Sequence, residues 1–345
     1  MVYLDWASTA IPHIHVSDYA CNWFNPNSYY AVEECLEFTE CEEKVKKALG
    51  AKSGKVIFGG NTSWFFEKLY NNQTSFWLCG PYEHECVYKD ARGVANLDKV
   101  VLTDEIYCHQ LVNNITGQVF DVAKIGEKVK DKGGYFVCDA TAAIGRCNVP
   151  DNLEEWCDCL CLSSHKIGVN NKQIGCVWVS DRFYDFTVLY GTVLNGYGLV
   201  DGTPDLACAK ATTDAVIEAC NNVNKNDRHY LDLAFYLENL LCKKEIKHKY
   251  VNTGLYTPAI CAITLPDIKA DALCRYLASE HQIYISPGHS ACEENSDYRV
   301  LKKYGLSQEE CDSTIRVSFG PTTSYNDIDD FVYAIIEYKE RYMSD

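Results

Sequence analysis

Seven short runs rich in β-branched, aromatic and cysteine residues, all within the first 180 positions, constrain this chain most. They are "KVIFGG" (55–60), "SFWLCG" (75–80), "KVVLT" (99–103), "IYCHQLVNN" (106–114), "YFVCDA" (135–140), "CDCLCLSS" (157–164) and "IGCVWVS" (174–180). Several are apolar without clean alternation, which suits strands covered on both faces. Between two of them, "VFDVAKIGEKVKDKGG" (119–134) has helical spacing and ends at glycine. This is the rhythm of βαβ units. The expectation is an α/β fold with a mostly parallel central sheet in a large domain.

After about residue 205 the pattern changes. "DLACAKATTDAVIEACNNV" and "DRHYLDLAFYLENLLCKKEI" are helical. The strand "AICAITLP", a helix around "ADALCRYLASEH", and the strands "IYISP" and "TIRVSFGP" follow. In the closing "NDIDDFVYAIIEYKERY", Ile328, Phe331, Val332, Ile335 and Ile336 fall on one helical face, with Ser324 as the expected N-cap. These elements describe a smaller α+β C-terminal domain. The expected division is 12–240 for the large domain, and 1–11 with 241–345 for the small one. No Pro/Gly/Ser-rich linker separates them, so a continuous helix is expected at the join.

Charge and cysteine usage narrow the function classes. A net charge of −16 over 345 residues argues against a broad nucleic-acid surface, so no direct nucleic-acid partner is expected. No run of about 18 apolar residues suggests a membrane span, and "MVYLDWASTA" lacks the basic and apolar regions of an export signal, so the expected location is cytoplasmic. The 19 cysteines sit mostly inside apolar runs, where a free thiol packs as a small hydrophobe. No CxxC pair occurs, and Cys157, Cys159 and Cys161 alternate as in a strand, so no metal is expected.

In a parallel sheet, ligands bind at the carboxyl ends of the strands. Asn113 and Asn114, Asp139, and Ser163, Ser164, His165 and Lys166 all follow predicted strands. Singly, such an aspartate reads as a turn or helix cap, and such a lysine as a surface charge. Lys166 in "CLSSHKIG" is the more telling one, because the chain carries it directly out of an apolar run.

Taken in order, these pieces resemble a known family: the class V, fold-type-I enzymes that use pyridoxal 5'-phosphate, and within them the cysteine desulfurases. The matching pieces are "YLDWASTA" (3–10), "NPNS" (25–28), "EHECV" (83–87), "VNNITG" (112–117), "DAT" (139–141), "SSHK" (163–166), "DGTP" (201–204), "HSAC" (289–292) and "IRVSFGPTT" (315–323), with "IDDF" (328–331) closing the series. The resemblance implies that Lys166 bonds the cofactor aldehyde. Asp139 pairs with the pyridine nitrogen, His84 stacks on the ring, and Asn114 lies near the ring hydroxyl and the substrate. Thr62 and Ser63 of "GGNTSW", with Ser163 and His165, hold the phosphate. Gly202-Thr203 completes that cup from a neighbouring subunit, which implies a homodimer. Arg316 clamps the substrate carboxylate. Cys292, in the polar stretch "SPGHSACEENSDY", attacks the sulfur of L-cysteine and carries it as a persulfide to an acceptor protein, with His84 or His289 as its activator. The small domain then carries both Arg316 and the Cys292 loop.

The chain also departs from the family's pattern. Ile115 stands where an acid is usual after Asn-Asn, and Ala142 where a glutamine follows Asp-Ala-Thr. The phosphate loop runs Asn61-Thr62-Ser63-Trp64, Val200 and Asp201 replace an arginine before Gly-Thr, and His289 replaces part of a Gly-Ser pattern. The segment between His84 and Asn114 is shorter than expected. Three readings stay open. One is a cysteine desulfurase. Another is a class V enzyme of different specificity (selenocysteine lyase, β-lyase or aminotransferase) in which Cys292 is incidental. The third is a degenerate homologue that acts as a scaffold in a sulfur-transfer assembly.

Overall fold

The structure, a computed structural model, describes the chain apart from residues 20–31, 73–76, 90, 95, 101, 103, 190–204, 252–253, 290–297 and 344–345. In chain order the strands are β1 (Val2–Tyr3), β2 (Lys55–Gly60), β3 (Trp77–Cys79), β4 (Gly93–Val94), β5 (Ile106–Gln110), β6 (Tyr135–Asp139), β7 (Cys159–Ser163), β8 (Ile174–Val179), β9 (Lys249–Tyr250), β10 (Ile260–Thr264), β11 (Ile283–Tyr284), β12 (Ser286–Pro287) and β13 (Thr314–Ser318). The helices are α1 (Val32–Leu49), α2 (Thr62–Asn72), α3 (Glu85–Tyr88), α4 (Val122–Asp131), α5 (Leu153–Trp156), α6 (Asp181–Leu189), α7 (Leu206–Lys243), α8 (Ala270–His281), α9 (Arg299–Lys303), α10 (Gln308–Asp312) and α11 (Tyr325–Tyr342).

Two compact units emerge. The larger comprises Ile11–Leu111 and Phe120–Val223; the smaller comprises Met1–Ala10, Val112–Val119 and Asn224–Asp345. The unit boundary at Val223 falls inside α7, so one uninterrupted helix runs through the join, as expected from the absence of a linker.

The large unit is built on a seven-stranded sheet in the order β2-β8-β7-β6-β5-β3-β4. Strand β8 runs antiparallel to both neighbours, and the other pairings are parallel. All five residues of β7 and all six of β8 are buried, as the unbroken apolar runs require of central strands. Burial pushes the Cys159 and Cys161 thiols well above their ordinary range, so they stay protonated and pack as small apolar groups. Phe65, Phe66 and Leu69 of α2 press on one core cluster with Trp77, Ile106 and Val137. That packing fixes where the start of α2 lies on the sheet.

The run "KVVLT" forms no strand at its described positions. Lys99 donates its backbone N–H to the Asn96 carbonyl, and Asp98 N–H bonds the Asn96 side chain, so an Asx turn claims the segment's entry. Lys132 Nζ then takes the Val100 carbonyl, which a ladder would otherwise use. Gly93–Val94 supplies the edge strand instead.

The small unit holds a four-stranded antiparallel sheet, β12-β13-β10-β9, and the short parallel pair β1-β11. Helix α11 buries Ile328, Phe331, Val332 and Ile335. It opens with a capping box between Ser324 and Asp327, which satisfies backbone donors at its start. No helix among the described residues is long and apolar enough to cross a membrane.

Candidate active site

In the large unit, Asp139 is the last residue of β6, and Lys166 sits in the 3-10 turn Ser164–Ile167 that continues β7. Adjacent parallel strands therefore deliver an acid and an amine to the same end of the sheet. Asp139 is buried, and its Oδ1 accepts the Thr141 backbone N–H at 2.9 Å. Burial pushes its carboxyl up, opposed by Thr141 and by the positive charge of Lys166. The turn that carries Lys166 closes on Gly168 at φ 101°. The Gly168 carbonyl accepts N–H bonds from His13 (2.9 Å) and Ile14 (3.0 Å), and a Cβ at this position would lie 2.1 Å from the His13 ring. Only glycine meets both demands.

Beside them lies a hydroxyl cluster at the N-terminus of α2. Thr62 N–H donates to Ser163 Oγ at 3.0 Å, Ser163 Oγ donates to Thr62 Oγ1 at 3.0 Å, and Thr62 and Thr141 hydroxyls share a 2.7 Å bond. Asn61 caps the helix through Trp64 N–H. Ser63 is exposed on the first turn, and His165 is half-buried beside Lys166. His84 caps α3: its Nδ1 accepts the Cys86 N–H at 3.2 Å and lies 3.0 Å from Cys86 Sγ. With Nδ1 accepting, the neutral ring carries its proton on Nε2. Next to it, Glu83 is fully buried, 3.7 Å from His109 Nδ1. The His109 proton is spent on the Gln110 carbonyl at 2.9 Å, and burial pulls the ring's pKa down to about 4.

The small unit contains Asn114 and Arg316. Arg316 is buried in β13; its Nη1 donates to the Asn114 carbonyl at 2.9 Å, and its Nη2 to Asp5 Oδ1 (2.7 Å), Ser8 Oγ (2.6 Å) and Ser286 Oγ (3.0 Å). Its Nε is buried without a hydrogen-bond partner among the described residues. In the same unit His289 Nε2 meets Asp271 at 3.4 Å, and its ring stands edge-on to Tyr298.

Among the residues singled out from sequence, the large unit thus assembles Thr62, Ser163, Lys166 and Asp139. Cys292, Gly202 and Thr203 lie outside the described residues. Thr141, Asp5 and Ser8 were inside matched motifs but had no assigned role; their part emerges only from hydrogen bonds that fold-level contacts create. Glu83 and Cys86 likewise flank His84 unassigned. Of the substituted positions, Ile115 and Ala142 are buried, and Trp64 packs half-buried on the α2 core.

The chain as a whole is similar to proteins of one known family. The profile of the aminotransferase class-V family matches residues 86–331. The chain belongs to that family. Among curated relatives, a probable mitochondrial cysteine desulfurase of Dictyostelium discoideum is 25% identical, with 95% of this chain and 80% of that one covered. The cysteine desulfurase IscS of Buchnera aphidicola is 23% identical over 95% of this chain and 90% of its own. Among solved structures, a NifS-like protein from Rickettsia africae superposes with a TM-score of 0.80 at 21% identity, covering 99% of both chains. A cysteine desulfurase from Thermococcus onnurineus gives 0.76 at 18%, covering 99% of this chain and 95% of that one. The fold of this class-V chain is therefore fold type I, as the motif order implies. Class-V aminotransferases and cysteine desulfurases generally depend on pyridoxal 5'-phosphate.

The large-unit residues fit that cofactor by donor chemistry. An aldehyde, a basic ring nitrogen and a phosphate call for an amine, an acid and a set of hydroxyl and N–H donors. Lys166, the desolvated Asp139, and the Thr62–Thr141–Ser163 cluster at a helix start supply each of these.

Proposed function

We propose that this class-V enzyme is a cysteine desulfurase that converts L-cysteine to L-alanine and passes sulfane sulfur, through a persulfide on Cys292, to an acceptor protein. The observation that carries the reading is the large-unit constellation: a buried acid, a turn-borne lysine within its field, and a hydroxyl cluster at a helix N-terminus, all at one end of the sheet. The names of its relatives, a probable cysteine desulfurase and a cysteine desulfurase IscS, support it at the level of family.

When bound, pyridoxal 5'-phosphate serves as an electron sink for the substrate α-carbon. Lys166 would hold it through its amine, and Asp139 would keep its ring nitrogen protonated. Thr62, Ser63, Ser163 and His165 would hold its phosphate, and His84 would lie on the ring. Lys166 Nζ would also be the group suited to move a proton at the substrate α-carbon. Arg316 is assigned the substrate carboxylate, for which Asp5 is the competing anion in the small unit. Cys292, as thiolate, takes the substrate sulfur. The C–S bond breaks, its electron pair stays on carbon, and protonation there yields the methyl group of alanine. The persulfide then yields its outer sulfur to an acceptor thiol, which leaves Cys292 as it began. Thr203 is assigned to a neighbouring subunit's phosphate cup, so the working form is a homodimer. The cytoplasm is the compartment we assign, since the described cysteines are free thiols and many are buried.

Incubation with L-cysteine and a reductant, with alanine and sulfide measured together, tests the reading. Equal amounts of both are expected. Pyruvate with sulfide, or a keto acid without sulfide, would favour a β-lyase or an aminotransferase instead.

A further inference from the structure

The C-terminal end of α7, in the small unit, gathers three side chains that no step above uses. Glu238 and Cys242 are one helical turn apart and share a face; His248 follows the turn that leads into β9. His248 Nε2 lies 2.9 Å from Glu238 Oε2, and Cys242 Sγ lies 3.5 Å from Glu238 Oε1. One ligating atom from each residue falls within 4.8 Å of the other two. The edges of a zinc tetrahedron, built from Zn–N near 2.0–2.1 Å and Zn–S near 2.3 Å, are roughly 3.3–3.7 Å, so the cluster needs only small adjustments to close on an ion.

The second ring nitrogen fixes which atom faces the carboxylate. His248 Nδ1 lies 2.7 Å from the Ile246 carbonyl, a bond in which the ring must donate. Nε2 is then the nitrogen that faces the Glu238 carboxylate, a separation that a second ring proton bridges as an ion pair and that a bound cation would bridge in its place. With Cys242 Sγ beside the same carboxylate, one cation would meet nitrogen, oxygen and sulfur together. A backbone carbonyl on the far nitrogen is also the usual support of a metal-bound histidine. The His248 side chain is 9% exposed and Glu238 42%, while Cys242 is exposed, so a fourth position is open to water. A thiolate with an imidazole selects a zinc-class ion over calcium or magnesium.

We infer that Glu238, Cys242 and His248 form a site for a zinc-class divalent cation, completed by water, that ties the end of α7 to the start of β9. The spacing Glu-x3-Cys-x5-His contains no CxxC pair, so zinc spacing rules pass over it.

The test is calorimetric titration of Zn²⁺ into the chelator-treated full-length holoenzyme, alongside Cys242→Ser and His248→Gln, with X-ray absorption at the zinc edge on the wild type. Circular dichroism checks that both variants are folded. The expected result is one tight equivalent per chain, weakened at least about a hundredfold in each variant, since loss of a direct ligand should exceed the 10–100-fold cost of losing a supporting partner. The ion should have one sulfur neighbour among nitrogen and oxygen. Wild-type affinity in both folded variants, two or more sulfur neighbours, or no binding at micromolar zinc would overturn the assignment.

Discussion

A carboxylate buried at a strand end, as Asp139 is, loses hydration and recovers only part of it from Thr141 and the field of Lys166. Its folded pKa lies above the unfolded value of 3.8. The native state therefore holds this proton more firmly than the unfolded chain does. Stability from this group is greatest below the unfolded pKa and is lost as pH rises through the folded one, so at neutral pH the charge is a net cost. Asp139→Asn should raise the melting temperature of the cofactor-free protein at pH 7, by about 1–2 °C per kcal/mol relieved in a chain of this length, and the gain should vanish in acid. The same variant should lose turnover by about tenfold or more, on the scale of removing a charged catalytic partner. Scanning calorimetry and alanine release check both. An unchanged melting temperature with normal turnover would reduce Asp139 to a strand-end cap. At this scale the placement of Lys166 and Asp139 at strand ends was legible in sequence, because each closes or follows an apolar run, while the roles proposed for them came from the family resemblance. Thr141 and Asp5 were not, since a hydroxyl or acid becomes a partner only when distant segments meet: Thr62 with Thr141, and Arg316 with Asp5.

The elements most readable from sequence are those with strong local signals. Strand β2 and helix α8 coincide with their predicted runs, and the Ser324 cap is where a serine before an amphipathic helix should be. Strand direction was not readable: "IGCVWVS" has the same apolar character as its neighbours, yet β8 runs against them, because direction depends on the connection and not on composition. "KVVLT" shows the converse failure, an apolar run taken from the sheet by an Asx turn and a lysine. The turn after β7 offers an element-scale prediction. Gly168→Ala adds a Cβ to a left-handed residue and drives it into His13. It should destabilise the protein by about 2 kcal/mol or more in urea titrations and displace Lys166, with turnover falling in parallel. A variant with an unchanged midpoint and full turnover would show that this turn does not position the lysine.

Across the whole molecule, the two-part organisation was visible in the change from strand-rich to helix-rich patterning, while the exact partition was not. Residues 112–119 cluster with the N-terminal and C-terminal segments, an arrangement that no local signal encodes. The dimer assigned through Thr203 should sediment at micromolar concentration as one species near twice 39.0 kDa, and an active monomer would contradict the shared cup. The desulfurase account stands or falls on where the sulfur goes. Brief exposure to L-cysteine without reductant, followed by peptide mass mapping, should find one added sulfur atom on the peptide holding Cys292, and none there in a Cys292→Ser variant that still binds pyridoxal phosphate. Added sulfur on a different cysteine, or normal alanine release by Cys292→Ser, would contradict it.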